Sequence, residues 1–300
     1  MNNTRTLPAL TFLKVFLSPY FLTSTFYLKP KITMKNLIFP ITLGLLLMGC
    51  SDDDPKGKTE TSKGFQVREI SENEEGEKEL GVALDTLNIE SRPSTVLKTA
   101  HPNHRLVPVY MVNYNKKTKQ PYIGNNNFIW TWYEDDLEGN FWVNYMPGLE
   151  AMQGYNMINV SHFNNETKTE NKLFRRPVLI RTVYYPAFSN DTLASTPVTR
   201  NYYMVSVYDD DTNEDGYINF MDLRRFYYFD IEGKNQQRLI PKEYAVMSSE
   251  YDWVNDYMYV YTRKDTNENG QMESTEPTTI FWIDLKDPLN NGIQYSPEYN

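Results

Sequence analysis

Short runs in which apolar and polar residues alternate follow one another along the chain from about residue 101 to its end. Each of four such runs is followed by a polar loop and a second apolar run, which is the layout of four strand-loop-strand units. The leading runs are RLVPVYMVNY (105–114), YNMINVSHF (155–163), NYYMVSVY (201–208) and DYMYVYT (256–262). They end 45 to 54 residues apart, a spacing typical of blade-like repeats. The pattern predicts an all-β domain over 101–300, most simply a small β-propeller, with a β-sandwich as the alternative.

The last two units are similar enough to indicate an internal duplication. Residues 203–230 align without a gap with residues 257–284, and Asp211 falls opposite Asp265. The composition also favours strands, because 23 Tyr, 15 Phe and 5 Trp suit half-buried, pleated surfaces. Only three histidines and one cysteine are present, which excludes a disulfide framework and disfavours a thiol-ligated zinc site.

Both duplicated units carry a polar loop with oxygen-bearing side chains at fixed spacing. Calcium takes six to eight oxygens, and the EF-hand loop supplies them from positions 1, 3, 5, 7, 9 and 12, with glycine at position 6. In the first loop, DTNEDGYINFMD (211–222), the expected ligands are Asp211, Asn213, Asp215, the Tyr217 carbonyl, Asn219 and Asp222. In the second, DTNENGQMESTE (265–276), they are Asp265, Asn267, Asn269, the Gln271 carbonyl, Glu273 and Glu276. Converging carboxylates repel one another, so we expect calcium here rather than only polar turns.

These loops resemble EF-hand calcium loops, with two departures. Asp222 stands where an EF-hand usually has a bidentate Glu, as in the similar loops of dockerin modules. The flanking runs are β-branched and aromatic rather than helical, and Pro277 directly follows Glu276. The loops therefore resemble the EF-hand-like calcium loops set in β-hairpins of bacterial surface proteins and propellers. This resemblance implies a structural ion, bound with a dissociation constant of about 10⁻⁴ to 10⁻³ M, and no switch in which helices open.

The stretch MKNLIFPITLGLLLMGC (34–50) has the three-part layout of a secretory signal, and its apolar run is too short to span a bilayer. LMGC resembles the lipobox of bacterial lipoproteins. That resemblance implies a signal peptide over 34–49 and acylation of Cys50, which would hold the protein on a membrane. We expect translation to begin at Met34, which leaves 1–33 as an untranslated upstream extension. The alternative is a second membrane segment within those residues.

The residues after Cys50 predict where the protein is exported. SDDD (51–54) resembles the acidic export signal of Bacteroidota lipoproteins, which implies the outer face of the outer membrane. Residues 50–100 are mostly polar and are predicted to be a flexible acidic tether, although GVALDTLNI (81–89) is either an early strand or a docking segment. The mature chain keeps 25 of the 30 Lys and Arg against all 39 Asp and Glu, a net charge of −14. This charge argues against nucleic acid as a partner.

Other candidate chemistry is sparse, since no GxSxG, HExxH or phosphate-loop motif occurs. The run WTWYEDDLEGNFWVNY (130–145) is expected to be a hairpin with its acids at the tip. His101 and His104 flank a proline and are expected to be exposed polar residues rather than metal ligands. We therefore expect a noncatalytic surface lipoprotein that binds a glycan, a peptide or an envelope partner. The alternative is a polysaccharide hydrolase using paired carboxylates such as Glu134 or Asp136.

Overall fold

The computed structural model describes residues 64–72, 78–84, 87, 89–123, 126–128, 146–188 and 190–297. These residues form strands, turns and loops, and no helix in this part of the chain is long and apolar enough to cross a membrane. The strands are β1 (Phe65–Gln66), β2 (Arg68–Glu72), β3 (Lys78–Ala83), β4 (Ser91–Pro93), β5 (Leu97–Lys98), β6 (His104–Met111), β7 (Asn113–Tyr114), β8 (Pro121–Tyr122), β9 (Asn126–Phe128), β10 (Leu149–Asn164), β11 (Thr169–Lys172), β12 (Leu179–Pro186), β13 (Asp191–Leu193), β14 (Thr196–Val198), β15 (Tyr202–Tyr208), β16 (Tyr217–Ile218), β17 (Arg225–Asp230), β18 (Gln237–Arg238), β19 (Tyr244–Asp252), β20 (Tyr257–Lys264), β21 (Thr278–Asp284) and β22 (Asn291–Tyr295).

A large antiparallel sheet of ten strands forms the main layer. Its path runs β18-β17-β15-β12-β10-β6-β4, while β9 and β11 also pair with β10, and β5 pairs with β6. Val183 of β12 lies between Met152 of β10 and Val205 of β15, and all three are fully buried. The register of β10 shifts near Met157 against both β6 and β12, so this long strand contains bulges.

The central strand β15 is buried along its whole length, because both of its faces are covered. Tyr203, Val205 and Val207 contribute to one apolar cluster with β6, β10 and β12. Tyr202 and Met204 point the other way and belong to a second cluster. A run of seven buried residues is what a strand covered on both faces requires, in place of simple alternation.

A smaller antiparallel sheet in the order β19-β20-β21-β22 covers the second face of β15. Along β20 buried and half-buried residues alternate, with Met258 and Val260 turned inward. They join Met204 of β15 and Phe226 of β17 in one cluster, so the two sheets share a core. Burying such large side chains supplies much of the energy that holds the sheets together, at about 1.5 to 3 kcal/mol for each.

The all-β class predicted from the sequence is confirmed, but the strand order differs from separate blades. The second, third and fourth predicted units do pair internally, as β10 with β12, β15 with β17, and β20 with β21. The first three units nevertheless contribute strands to one ten-stranded sheet, and only the fourth lies in the smaller sheet. No sheet in the described part of the chain closes on itself. The arrangement therefore lies nearer to two packed sheets, the predicted alternative, than to a propeller.

Strands also occur within the span 50–100, for which the sequence predicts a flexible tether. Strand β1 pairs with β16 inside the first calcium-type loop, and β2 pairs with β3. Side chains of Ile70 and Leu80 lie close to Gly216 of that loop. The sequence does not predict these contacts, because β2 and β3 carry many charged residues and only a few apolar ones. Part of the run 81–89 is strand, since its first three residues belong to β3.

Candidate metal centre

The two calcium-type loops, 211–222 and 265–276, connect the strands of two hairpins, β15 to β17 and β20 to β21. Both loops have the same pattern of internal hydrogen bonds. In the first loop Asp211 accepts hydrogen bonds from the backbone N–H groups of positions 5 and 6, at 3.0 and 3.1 Å. Asp222 accepts from those of positions 2 and 9, at 2.7 and 2.8 Å. In the second loop Asp265 accepts from positions 5 and 6, at 3.2 and 3.0 Å. Glu276 accepts from positions 2 and 9, at 3.2 and 3.0 Å. The predicted first and last ligands thus have equivalent places in both loops.

The middle ligand positions of each loop also contact one another. In the first loop the side-chain amides of positions 3 and 9 donate to one oxygen of Asp215, at 3.4 and 3.0 Å. In the second, the amides of positions 3 and 5 donate to Glu273, at 3.3 and 2.8 Å. An amide also carries an oxygen, so positions 3, 5 and 9 together hold the oxygen donors that a hard cation takes.

The backbone makes the same sharp turn in both loops. Position 4 has a positive φ, 54° at Glu214 and 57° at Glu268, and so does position 6, 88° at Gly216 and 69° at Gly270. Glycine at position 6 fits because a left-handed backbone costs a residue without a Cβ little. The duplicated sequence therefore folds into a duplicated backbone path, as the alignment predicts.

The loops touch each other, a contact that the sequence does not predict. The Thr212 hydroxyl donates to the Gly270 carbonyl at 2.6 Å. Asp222, the last position of the first loop, forms an isolated antiparallel bridge with Gln271 of the second. A Cβ atom on Gly270 would lie 1.7 Å from the Thr212 carbonyl oxygen, so the two backbones are as close as they can be. The two candidate sites are therefore physically joined.

The first loop is the more enclosed of the two. Asp211, Asn219 and Asp222 are buried, whereas Asn267 of the second loop is exposed. Strand β1 runs along the first loop through its pairing with β16, and the next strand brings Arg68 Nε to 3.3 Å from Asp211 Oδ2. The N-terminal strands thus complete the wall of the first loop and supply a positive charge beside its first carboxylate.

The carboxylates of the first loop are costly to charge without a cation. Burial raises the pKa of Asp211, although N–H donors from the loop backbone oppose that shift. Burial raises the pKa of Asp222 to about 6, and the nearby charge of Asp211 adds to the effect. A cation between these groups would reverse both influences, since an opposite charge favours the ionised form.

The chemistry of the donors fits calcium, although the side chains are not gathered as a finished cage. In the described residues, no three His, Cys, Asp or Glu side chains form a group that could hold a metal ion. The end carboxylates face backbone N–H groups rather than one common point. The position-7 residues lie in β pairings, Tyr217 with Gln66 and Gln271 with Asp222. Carboxylate, amide and carbonyl oxygens, without imidazole or thiolate, are the ligand types of calcium rather than zinc.

The structure describes some of the other candidate functional residues from the sequence and not others. Cys50 and the acids Glu134 and Asp136 lie outside the described residues. His104 does not match the exposed histidine expected from the sequence, because it is buried and its Nδ1 lies 3.1 Å from Nε2 of His162. The long-range pairing of β6 with β10 brings these two rings together, and the sequence gives no local sign of it.

Comparison with protein-family models and with curated proteins found no match for this chain. The residues and their geometry therefore supply the evidence for function.

Proposed function

We propose that this protein is a surface lipoprotein, anchored through Cys50, whose noncatalytic β domain is stabilised by calcium and binds an extracellular ligand. That ligand would be a glycan, a peptide or a partner in the cell envelope. Calcium would be held by the two loops 211–222 and 265–276. The observation that carries this proposal is their pairing, since two loops with the same hydrogen-bond pattern meet at a backbone contact.

The position of the loops supports a structural role for the ion. The first loop belongs to a hairpin of the large sheet and the second to a hairpin of the small sheet. Their contact therefore joins the two layers beyond the apolar core that they share. Asp222, a predicted ligand of the first loop, lies in this contact and is buried there, so its negative charge is costly without a cation. Bound calcium would supply the missing positive charge and hold the junction closed.

Calcium titration of the purified domain tests the proposal. We expect two ions per chain, and at about a hundred times the dissociation constant each should add roughly 2.7 kcal/mol to the free energy of unfolding. Asp211→Asn keeps the side-chain shape but removes the charge of the first ligand, so it should abolish one of the two sites. Asp210→Asn is the matched control, because Asp210 precedes the loop, is exposed, and pairs with Arg176 instead.

Terbium offers an independent probe of the first loop, because Tyr217 at position 7 would transfer excitation energy to the bound ion. Sensitised terbium emission should be lost in Asp211→Asn and retained in Asp265→Asn. Magnesium should compete poorly, since it demands a smaller, octahedral site. A melting temperature that is the same in millimolar calcium and in excess chelator would overturn the proposal.

A further inference from the structure

A cleft of about 440 Å³ opens between the two sheets, beside the paired loops. Arg181 of β12 and Tyr208 of β15 line it from the large sheet, and Met247 of β19 and Arg263 of β20 line it from the small sheet. Arg224, which follows the first loop, completes a set of three arginines. The volume of the cleft falls within the range of about 300 to 1,000 Å³ that is usual for small-molecule sites.

The three arginines have no carboxylate partner within 4.0 Å in the described part of the chain. Arg224 is held by backbone carbonyls, through Nε to Val246 at 2.6 Å and through a terminal nitrogen to Met247. A terminal nitrogen of Arg263 donates to the Glu273 carbonyl at 2.6 Å, while its buried Nε makes no hydrogen bond to any described residue. All three positive charges therefore lack a balancing carboxylate among the described residues, and Arg263 leaves a buried donor unused.

Two strand irregularities occur at the cleft. The register of β12 against β15 shifts between Ile180 and Thr182, which places Arg181 at the shift. The register of β19 against β20 shifts between Val246 and Ser248, which places Met247 there. Bulges change the direction of a side chain and are frequent beside functional sites. Both irregularities therefore favour the interpretation of this cleft as a functional site.

The charge of the cleft is opposite to that of the protein as a whole, whose formal net charge is −9. Among the described residues of its wall Asp222 is the one acid, and both of its oxygens already accept backbone N–H groups of the first loop. Three guanidinium groups around one cavity, with one such carboxylate, match an anionic ligand. Planar guanidinium groups are well suited to carboxylates, to which they can donate two hydrogen bonds.

The remaining wall is apolar and partly aromatic. The rings of Tyr208 and Phe220 meet edge to face, with centroids 5.4 Å apart, and Met247 and Met272 also line the cleft. A ligand that fills this space has an apolar ring face as well as an anionic group. We propose that the cleft binds an acidic saccharide of the uronate type, its carboxylate held by Arg181 and Arg263 and its ring facing the apolar wall. The choice of a saccharide rests on the proposed function, whereas the anionic requirement rests on the cleft.

Calorimetry with a glucuronate disaccharide tests this site. The methyl ester of the same disaccharide serves as the uncharged control ligand. Calcium is held at a fixed saturating concentration, and calcium binding is measured separately. We expect the acid to bind at least tenfold more tightly than the ester. Arg181→Gln and Arg263→Gln should each weaken binding about tenfold or more, since each removes a charged hydrogen bond. Arg176→Gln, at an exposed arginine outside the cleft, should leave binding unchanged.

The outcomes separate this inference from the proposed function. Normal calcium binding without any uronate binding overturns the cleft proposal and leaves the calcium-stabilised domain intact. Equal binding of acid and ester overturns the anionic requirement. Acetate binding as tightly as the disaccharide, with the same dependence on Arg181, overturns the assignment to a saccharide. If calcium does not bind, the proposed function fails, and the same titrations in chelator still support or overturn the anion site.

Discussion

The contact between the loops can be tested by placing alanine at position 6 of each loop. Both glycines have a positive φ, so either substitution costs about 1 to 2 kcal/mol from backbone strain. A Cβ on Gly216 would meet the side-chain ends of Ile70 and Leu80, which can move aside. A Cβ on Gly270 would meet the backbone of Thr212, with its nearest atom 1.7 Å away, and that backbone cannot yield without separating the loops.

Separating the loops breaks the hydrogen bond from Thr212 to Gly270 and the bridge between Asp222 and Gln271. Each such bond contributes about 1 kcal/mol, so Gly270→Ala should cost about 2 kcal/mol more than Gly216→Ala. For a domain of this size that difference lowers the melting temperature by a further 4 to 8 °C or so. Thermal unfolding followed by circular dichroism, in chelator so that ion binding does not contribute, measures it. Equal melting temperatures for the two variants would refute the loop contact.

Three further predictions concern other parts of the chain. Burial lowers the pKa of His104, so the stability that its neutral form contributes is complete above pH 6.5 or so and falls as the pH drops toward the folded-state value. Denaturant unfolding at pH 7.5 and 5.5 should therefore show a smaller pH effect in His104→Gln, and an unchanged effect would contradict this. Asp256→Ala leaves the buried Arg200 without the carboxylate that accepts its hydrogen bonds, and it should lower the free energy of unfolding in the same assay by about 3 to 5 kcal/mol. A loss below about 1 kcal/mol would show that the ion pair is not needed. Cys50→Ala should move the mature protein from the membrane fraction to the soluble fraction, and retention after a high-salt wash would argue against a lipid anchor.

Local pattern predicts the strands of this protein far better than it predicts their partners. The alternation in DYMYVYT (256–262) matches the observed burial of β20, because that strand has one buried face. Strand β6 could not be placed in the same way. The sequence assigns it to a hairpin with the apolar run that follows it, whereas it pairs with β10, more than forty residues further along the chain. Pairing between distant strands depends on packing and register rather than on local spacing, so an evenly spaced pattern suggested blades.

In the candidate metal site, too, the contacts between residues close in sequence could be predicted, and those between distant strands could not. Ligand spacing and the position-6 glycines lie within twelve residues, and the equivalent hydrogen-bond patterns of the two loops follow from them. The approach of Arg68 to Asp211 could not be predicted, because it depends on pairing between β1 and β16 across about 150 residues. The three arginines of the cleft are likewise brought together by strand pairing within the large sheet and by the packing of the small sheet against it.

The duplication explains why acidic loops occur at the junction of the two layers. One copy of the repeated unit contributes the hairpin β15–β17 to the large sheet, and the other contributes β20–β21 to the small sheet. Because the copies have similar apolar faces, they pack against one shared core, with Met204 and Phe226 on one side and Met258 and Phe281 on the other. That packing brings the equivalent loops together, and with them two sets of like charges. In the function proposed above, calcium bound in each loop would offset the repulsion between these charges, and that would allow a duplicated acidic loop to persist at such a junction.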